Sequence, residues 1–404
     1  MTAQTLTPSE TAGGLCPPPE WTAAPLTAST QELRDLITDF VQREAIPLEE
    51  EIDRTHKLPP SLWQKLASDP YRLIGAVIPK EYGGRGATYV ECCVIMEELG
   101  YSSFSLATCV ETTTIVPTYL MQSASEELLK EFLPAIASYE TYIGIAITDM
   151  NGGTDPAAMS TCFSCGDGEY RLQGKKRLVS LADNCNAFIV MAREESTGAR
   201  GALTAFLIDA DTPGLRLAEE EFCFGMRGHT TWIVELDDCV VPASRRLGDE
   251  GRAMQYLFRT LDRTRGSYAT GALGVARRAL DVATEFAMRT ETFGKRLIEN
   301  QSIHFPLIEI RARLEAARLL AHKSSAAADA GQPNRVDTSL AKVLAGAIAI
   351  DAASLAITVL GGRGTTSDSV AQRLLRDSHT LQFGQGSPNA QFIGLAHDFY
   401  GVRP

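Results

Sequence analysis

Between about Tyr142 and Val241 the chain changes its hydrophobic period, and this change constrains the fold more than any single residue does. Upstream, Leu33, Leu36, Ile37, Phe40 and Val41 recur at spacings of three and four, which places them on one face of a helix. Inside the segment apolar residues come in short runs, YIGIAIT, YRLQGKKRLVS, AFIVMARE, LTAFLIDA and TWIVEL, broken by Gly, Asp, Asn and Pro as strands and turns are. After Pro242 the helical spacing returns, with Ile303, Leu307, Ile310, Leu314, Ala317 and Ala321 in one stripe. The expected fold is therefore α+β: an N-terminal all-helical domain over residues 30–141, a middle β domain over 142–246 and a C-terminal helical bundle domain over 247–404.

In the first unit SLWQKLASD, ATYVECCVIMEELG and SEELLKEFLPAIAS read as helices, the last opened by Ser125 with acids in its first turn. Residues 1–29 are rich in Thr, Pro, Ala and Gly and too poor in large apolar side chains to fold alone, so a flexible extension is expected there. Near the other end, SLAKVLAGAIAIDAASLAITVLGG has little polar surface on any side, which suits the centre of a bundle or a subunit interface.

Composition narrows the function. A net charge of −12 argues against a nucleic-acid partner, because phosphate binding requires clustered Lys and Arg. No continuous run of about 18 apolar residues occurs, and MTAQTLTPSETAGGLCPPPEWTAAP lacks the basic start and apolar centre of a secretory signal. A cytoplasmic protein with no membrane partner and reduced cysteines is expected. The CxxC at Cys162–Cys165 has no second pair at zinc spacing and the histidines are scattered, so no metal is expected. Neither GxGxxG nor GxxxxGK[ST] is present. GALG at 271–274 reads as a close helix contact, and His229, beside Arg227 and Gly228, as a solvated turn residue.

AITDMNGGTD, TFGKRLIENQ, and VLGGRG followed by LLRDSHTLQFGQGS carry the functional signal. Glycine-rich loops let backbone N–H groups approach phosphates or a planar ring, which a large nucleotide cofactor requires. Together with IPKEYGGRG and GMRGHTTWIVELDDCVVPASRRLGDEG, and in this order, they make the chain resemble the acyl-CoA dehydrogenase family over nearly all of residues 30–400, with a C-terminal four-helix bundle. The resemblance implies FAD held between the β domain and the C-terminal domain, with a neighbouring subunit contributing in a homodimer or homotetramer. Carried over residue by residue, Thr148, Gly153, Thr154 and Ser180 would line the flavin. Phe293 and Gln301, from the adjacent subunit, and Gly361, Gly362 and Ser387 would contact the ribityl, pyrophosphate or adenine parts.

The catalytic position departs from the family. There a carboxylate takes the α proton of the acyl thioester, from a YEGT segment eight residues beyond an Arg-Asp pair. Counting from Arg376 and Asp377 puts Gln385 on that acid, and a neutral amide accepts no proton near pH 7. The family's other home for the acid, before an arginine in the first C-terminal helix, holds Thr264 next to Arg265. Losing a positioned base costs about 10²- to 10⁴-fold in rate. The aromatic residue beside the flavin becomes Leu178 and the tyrosine before the acid Gly384, which would open space around the ring. The arginine before the Phe-Gly pair becomes Thr290, with Arg289 one place early.

Two charged residues remain candidates. Glu111, in CVETTTIVP, aligns with the far end of the acyl cavity, where it would select a polar or cationic group. Arg265, as an isolated cation, would favour an anionic group. The expected function is an FAD-dependent oxidoreductase-type enzyme acting on an acyl thioester of coenzyme A or a carrier protein, with or without an electron-transfer partner. Its chemistry would be non-standard: decarboxylation, sulfinate loss, intramolecular substitution or oxidation of an already acidic substrate. The alternatives are a flavin monooxygenase and a non-catalytic binding or assembly protein; retained Phe293, Gln301 and GGRG argue against the latter.

Overall fold

The computed structural model describes residues 27–153, 155, 158–166, 168–196 and 202–402. Residues 1–26 of the expected extension and Thr154 therefore lie outside the described residues. The first helix, α1 (Ala28–Phe40), starts before the expected Thr30 because the Thr27 hydroxyl accepts from the Thr30 amide at 3.2 Å and caps it. Helices α2 (Glu49–Thr55), α3 (Pro60–Ala67), α4 (Tyr89–Ser102), α5 (Phe104–Ser123) and α6 (Glu126–Ala137) complete the N-terminal unit. A reciprocal Thr88–Glu91 capping box opens α4, and Ser125 caps α6.

Helix α5 is not legible in the sequence, since VETTTIVP combines β-branched residues with Pro117, all poor helix formers. Packing against α4 and α7 overrides propensity: nearly every residue from Phe104 to Leu120 is buried.

The middle unit is a mixed sheet of β1 (Ile143–Ala146), β2 (Cys162–Gly166), β3 (Glu169–Ser180), β4 (Ala187–Glu194), β5 (Leu203–Asp209), β6 (Leu215–Glu220), β7 (Thr231–Pro242) and β8 (Arg246–Leu247). The strand order is β6-β7-β3-β2-β4-β5-β8, and β1 runs parallel to β4. The expected runs correspond to β1, β3, β4, β5 and β7. Strand β6, LRLAEE, escapes a hydrophobic reading because it is an edge strand with charged, largely exposed side chains.

The C-terminal unit comprises α7 (Ala253–Arg289), the β9 (Glu291–Thr292) and β10 (Lys295–Arg296) hairpin, α8 (Gln301–Asp329), α9 (Arg335–Leu360), α10 (Val370–Thr380) and α11 (Pro388–Tyr400). By length and composition alone α9 could cross a bilayer. Here it packs against α7, α8 and α10, with Ala341, Ala345, Ala349, Ala352, Ala353 and Ala356 buried in the bundle core. GALG is a close helix contact: a side chain on Gly274 would collide with the Glu97 carbonyl of α4, and one on Gly100 with the Gly271 carbonyl. His229 is buried, not solvated, because its turn packs between the β unit and α5.

Candidate active site

The loop after α10 is fixed through its main-chain carbonyls. Tyr268 Oη donates to Leu381 O at 2.8 Å, and Lys342 Nζ donates to Gln382 O at 2.5 Å and Gly386 O at 2.6 Å. Arg265 Nε and Gln391 Nε2 both donate to Gln385 O, at 3.2 and 3.1 Å. These contacts hold Gln385 at φ +54°, a conformation that non-glycine residues adopt at a cost. Burial, with the Arg265 charge nearby, brings the Lys342 ammonium down to about 7.

The Gln385 side chain turns inward, where its Nε2 donates to Glu111 Oε1 at 2.9 Å. Glu111 thus sits beside Gln385, where α5 runs through the core next to α7. Ser267 Oγ, on α7, lies 3.1 Å from each Glu111 carboxyl oxygen and 2.7 Å from Thr264 O. One hydroxyl proton cannot serve both partners. The protonated form of Glu111 closes the network by donating to Ser267 while Ser267 donates to Thr264 O; the ionised form draws the Ser267 hydroxyl to itself, and that bond favours the carboxylate. The electrostatics agree: burial pushes the Glu111 carboxyl up to about 8, against the pull of the Gln385 and Ser267 hydrogen bonds. Gln385 Oε1 and Thr264 Oγ1 are buried without a partner, open positions for a ligand's polar atoms.

Two expectations are corrected here. Arg265 is not isolated, since its guanidinium meets Asp262 Oδ1 at 3.1 Å as well as the loop carbonyl. Gly384 does not open the pocket, because the Tyr268 hydroxyl fills the place of its side chain.

A second group gathers on the β unit. Arg177 N donates to Thr148 O at 2.8 Å, and Gly153 lies against the Thr148 side chain. Leu178 follows at a bulge in β3, 47% exposed with φ +52°, braced by Glu221 Oε2 on its amide at 2.7 Å. Ser180 ends the same strand. Beneath them the buried Lys176 Nζ contacts Asp149 Oδ1 at 2.6 Å. An exposed leucine beside the Thr148 and Ser180 hydroxyls, which have no hydrogen-bond partner among the described residues, fits a planar ring with polar edges.

Other expected residues stand apart. Gln301 begins α8, and Gly361 and Gly362 end α9. Phe293, fully exposed, forms the tip of the β9–β10 hairpin beyond α7. Lys342 and Gly361 are separated along α9 by about 28 Å at a rise of about 1.5 Å per residue, so one protomer does not bring this end of the bundle to the loop. Ser387 belongs with Gln385 instead, its hydroxyl capping α11 through the Ala390 amide at 3.2 Å. Among the described residues no cluster of His, Cys, Asp or Glu could hold a metal ion. Sequence reasoning missed Ser267, Tyr268, Lys342 and Gln391; only Lys342, the sole cation in a largely apolar run, carried a visible signal.

A β unit between two helical units, with a planar-ring face on the sheet and a clamped polar loop on the bundle, defines a three-domain flavoprotein fold. Profiles of the acyl-CoA dehydrogenase N-terminal, middle and C-terminal domains match residues 27–140, 144–239 and 251–397. The chain belongs to the acyl-CoA dehydrogenase family, whose cofactor is FAD. It is 29% identical over 366 residues to a probable acyl-CoA dehydrogenase of Mycobacterium leprae strain TN, covering 90% of this chain and 94% of that one. Butyryl-CoA dehydrogenase from Megasphaera elsdenii superposes with a TM-score of 0.87 at 28% identity, covering 91% of this chain and 97% of that one. A glutaryl-coenzyme A dehydrogenase solved with glutaryl-CoA gives 0.89 at 28% identity, covering 94% and 97%.

Proposed function

We propose that this flavoenzyme acts on an acyl thioester, carried by coenzyme A or a carrier protein, in a reaction that does not rely on a carboxylate at position 385. The observation that carries the reading is the clamped loop, which holds Gln385 in a costly backbone conformation and turns its amide onto Glu111, at the position where the family resemblance implies an acid. Bound FAD supplies two-electron oxidation of an activated carbon. Thr148, Gly153, Leu178 and Ser180 would hold its ring, and the chain's own polar groups would hold the substrate. Gln385 Oε1 and Thr264 Oγ1, buried without partners, would meet the thioester's polar atoms, and Arg265 holds the loop carbonyl. The monooxygenase alternative looks to space left by both Gly384 and Leu178; Tyr268 fills the place beside Gly384, which favours the acyl-thioester reading over it.

The test is optical. The purified protein should carry a flavin spectrum, and anaerobic addition of acyl thioesters from a panel should perturb or bleach it. A protein that takes up no FAD, or whose flavin responds to no acyl thioester, would sink the proposal.

A second copy would supply Phe293 and Gln301 to the cofactor, as the family resemblance implies, with Phe293 fully exposed at the hairpin tip. Light scattering should therefore give two or four times the chain mass of 43.7 kDa. A flavin-loaded monomer would count against that assignment.

A further inference from the structure

The buried carboxylates of the described residues differ in one respect. Glu97 meets Arg318 and Arg277, Glu98 meets Arg277 and Arg34, and Glu49 meets Arg373. Asp149 meets Lys176, and Asp377 lies in the fields of Arg373 and Arg376. Glu111, with none of its surface exposed, faces no cation; only the neutral Gln385 and Ser267 touch it. A buried carboxyl without a counter-charge weakens a fold unless it stays protonated, and such groups concentrate where protons are moved. Gln385 Oε1, on the amide that touches it, and Thr264 Oγ1, on the residue whose carbonyl Ser267 also meets, are buried without a partner, so the polar groups here are not all satisfied.

We infer that Glu111 is the proton-transfer group of this site, and that Gln385 is its positioning residue. The inference rests on the acyl-thioester reading. In the step, the C–H bond next to the thioester carbonyl breaks, the proton passes to a Glu111 carboxylate oxygen, and the electron pair stays on the substrate as the thioester enolate. Reversal returns a proton, so the step needs no oxidant. Gln385 Nε2 fixes Oε1 and Ser267 fixes the other side of the carboxyl. The titratable groups facing Glu111 are Cys92 and Cys93 of α4 and Tyr268 of α7, all held protonated by burial; Arg265 and Lys342, which titrates near 7, grip the backbone of the Gln385 loop and do not touch the carboxyl.

The test is deuterium uptake at the α carbon, followed by NMR in D2O under anaerobic conditions. The FAD-loaded protein is given butyryl-, glutaryl- and aminoacyl-CoA. Wild type should exchange, with a rate that rises with pH and levels off above about 8. Glu111→Gln, at equal flavin content, should exchange about 10²-fold or more slowly. In the ligand-free holoprotein an infrared carboxyl band should titrate near that pH and vanish in Glu111→Gln. Should that variant not fold, Ser267→Ala carries the test: losing a hydrogen bond that lowers the Glu111 pKa should move the exchange midpoint upward. Wild-type exchange in Glu111→Gln, or an unmoved midpoint in Ser267→Ala, overturns the inference while thioester-induced flavin changes leave the functional reading standing. If no thioester perturbs the flavin, both fall.

Discussion

Gln385→Glu should raise oxidation of a saturated acyl-CoA by the holoprotein above the wild-type rate, because it sets a second carboxyl beside Glu111. The loop that carries position 385 is held by its carbonyls, through Lys342, Arg265, Gln391 and Tyr268, so the exchange leaves its backbone supports intact. The new carboxyl would stand within hydrogen-bond reach of Glu111, where Nε2 now lies at 2.9 Å. Two carboxyls this close share one proton and titrate as a pair. The double variant Glu111→Gln/Gln385→Glu separates them, leaving one base at position 385, and should keep the gain. Dye-linked turnover with butyryl-CoA measures it. A folded, flavin-loaded Gln385→Glu with no gain would mean that position 385 does not face the α carbon.

Asp149→Ala should cost about 3–5 kcal/mol of stability, because it leaves the Lys176 ammonium buried and unpaired. Lys176 is fully buried and its remaining partners are Ile147 O at 3.0 Å and the Met159 sulfur. Asp149 also accepts from Ser160 N and Thr161 N, at 2.6 and 2.7 Å, and so joins the end of β1 to β2 and β3. Denaturant unfolding of Asp149→Ala beside Asp149→Ala/Lys176→Met gives the check; the double variant should recover most of the loss. A single variant within about 1 kcal/mol of wild type would show that the pair contributes little. The pH dependence has a defined sign. Burial opposes ionisation of Asp149, but the Lys176 charge and the hydrogen bonds outweigh it and hold the carboxyl below its usual range. The carboxylate's contribution is therefore present above the unfolded-state pKa and is lost as pH falls through the depressed folded value. Since Thr148 precedes Asp149, flavin affinity should fall with the stability.

The domain order was legible because period is a property of the whole segment: runs such as AFIVMARE cannot bury one face as a helix. Helix α5 was not, since its Thr, Val, Ile and Pro content argues locally against the conformation that burial imposes. That one element also hides the partners of Glu111, which come from residues 156 and 274 positions away in sequence, Ser267 and Gln385. The sheet-side group was easier, because Thr148, Gly153, Leu178 and Ser180 lie on short segments already marked by glycines and turns. The polar supports of the loop were invisible for a further reason: they grip main-chain oxygen, which no side-chain motif records.

That grip also bears on how such an enzyme changes over evolutionary time. Carbonyl clamps impose no requirement on the side chain they display, so the residue at 385 can vary while the scaffold is left alone. Glutamate and glutamine codons differ by a single base. A lineage with this loop therefore stands one mutation from a different proton inventory, and new chemistry can be sampled there without first passing through an unfolded intermediate sequence.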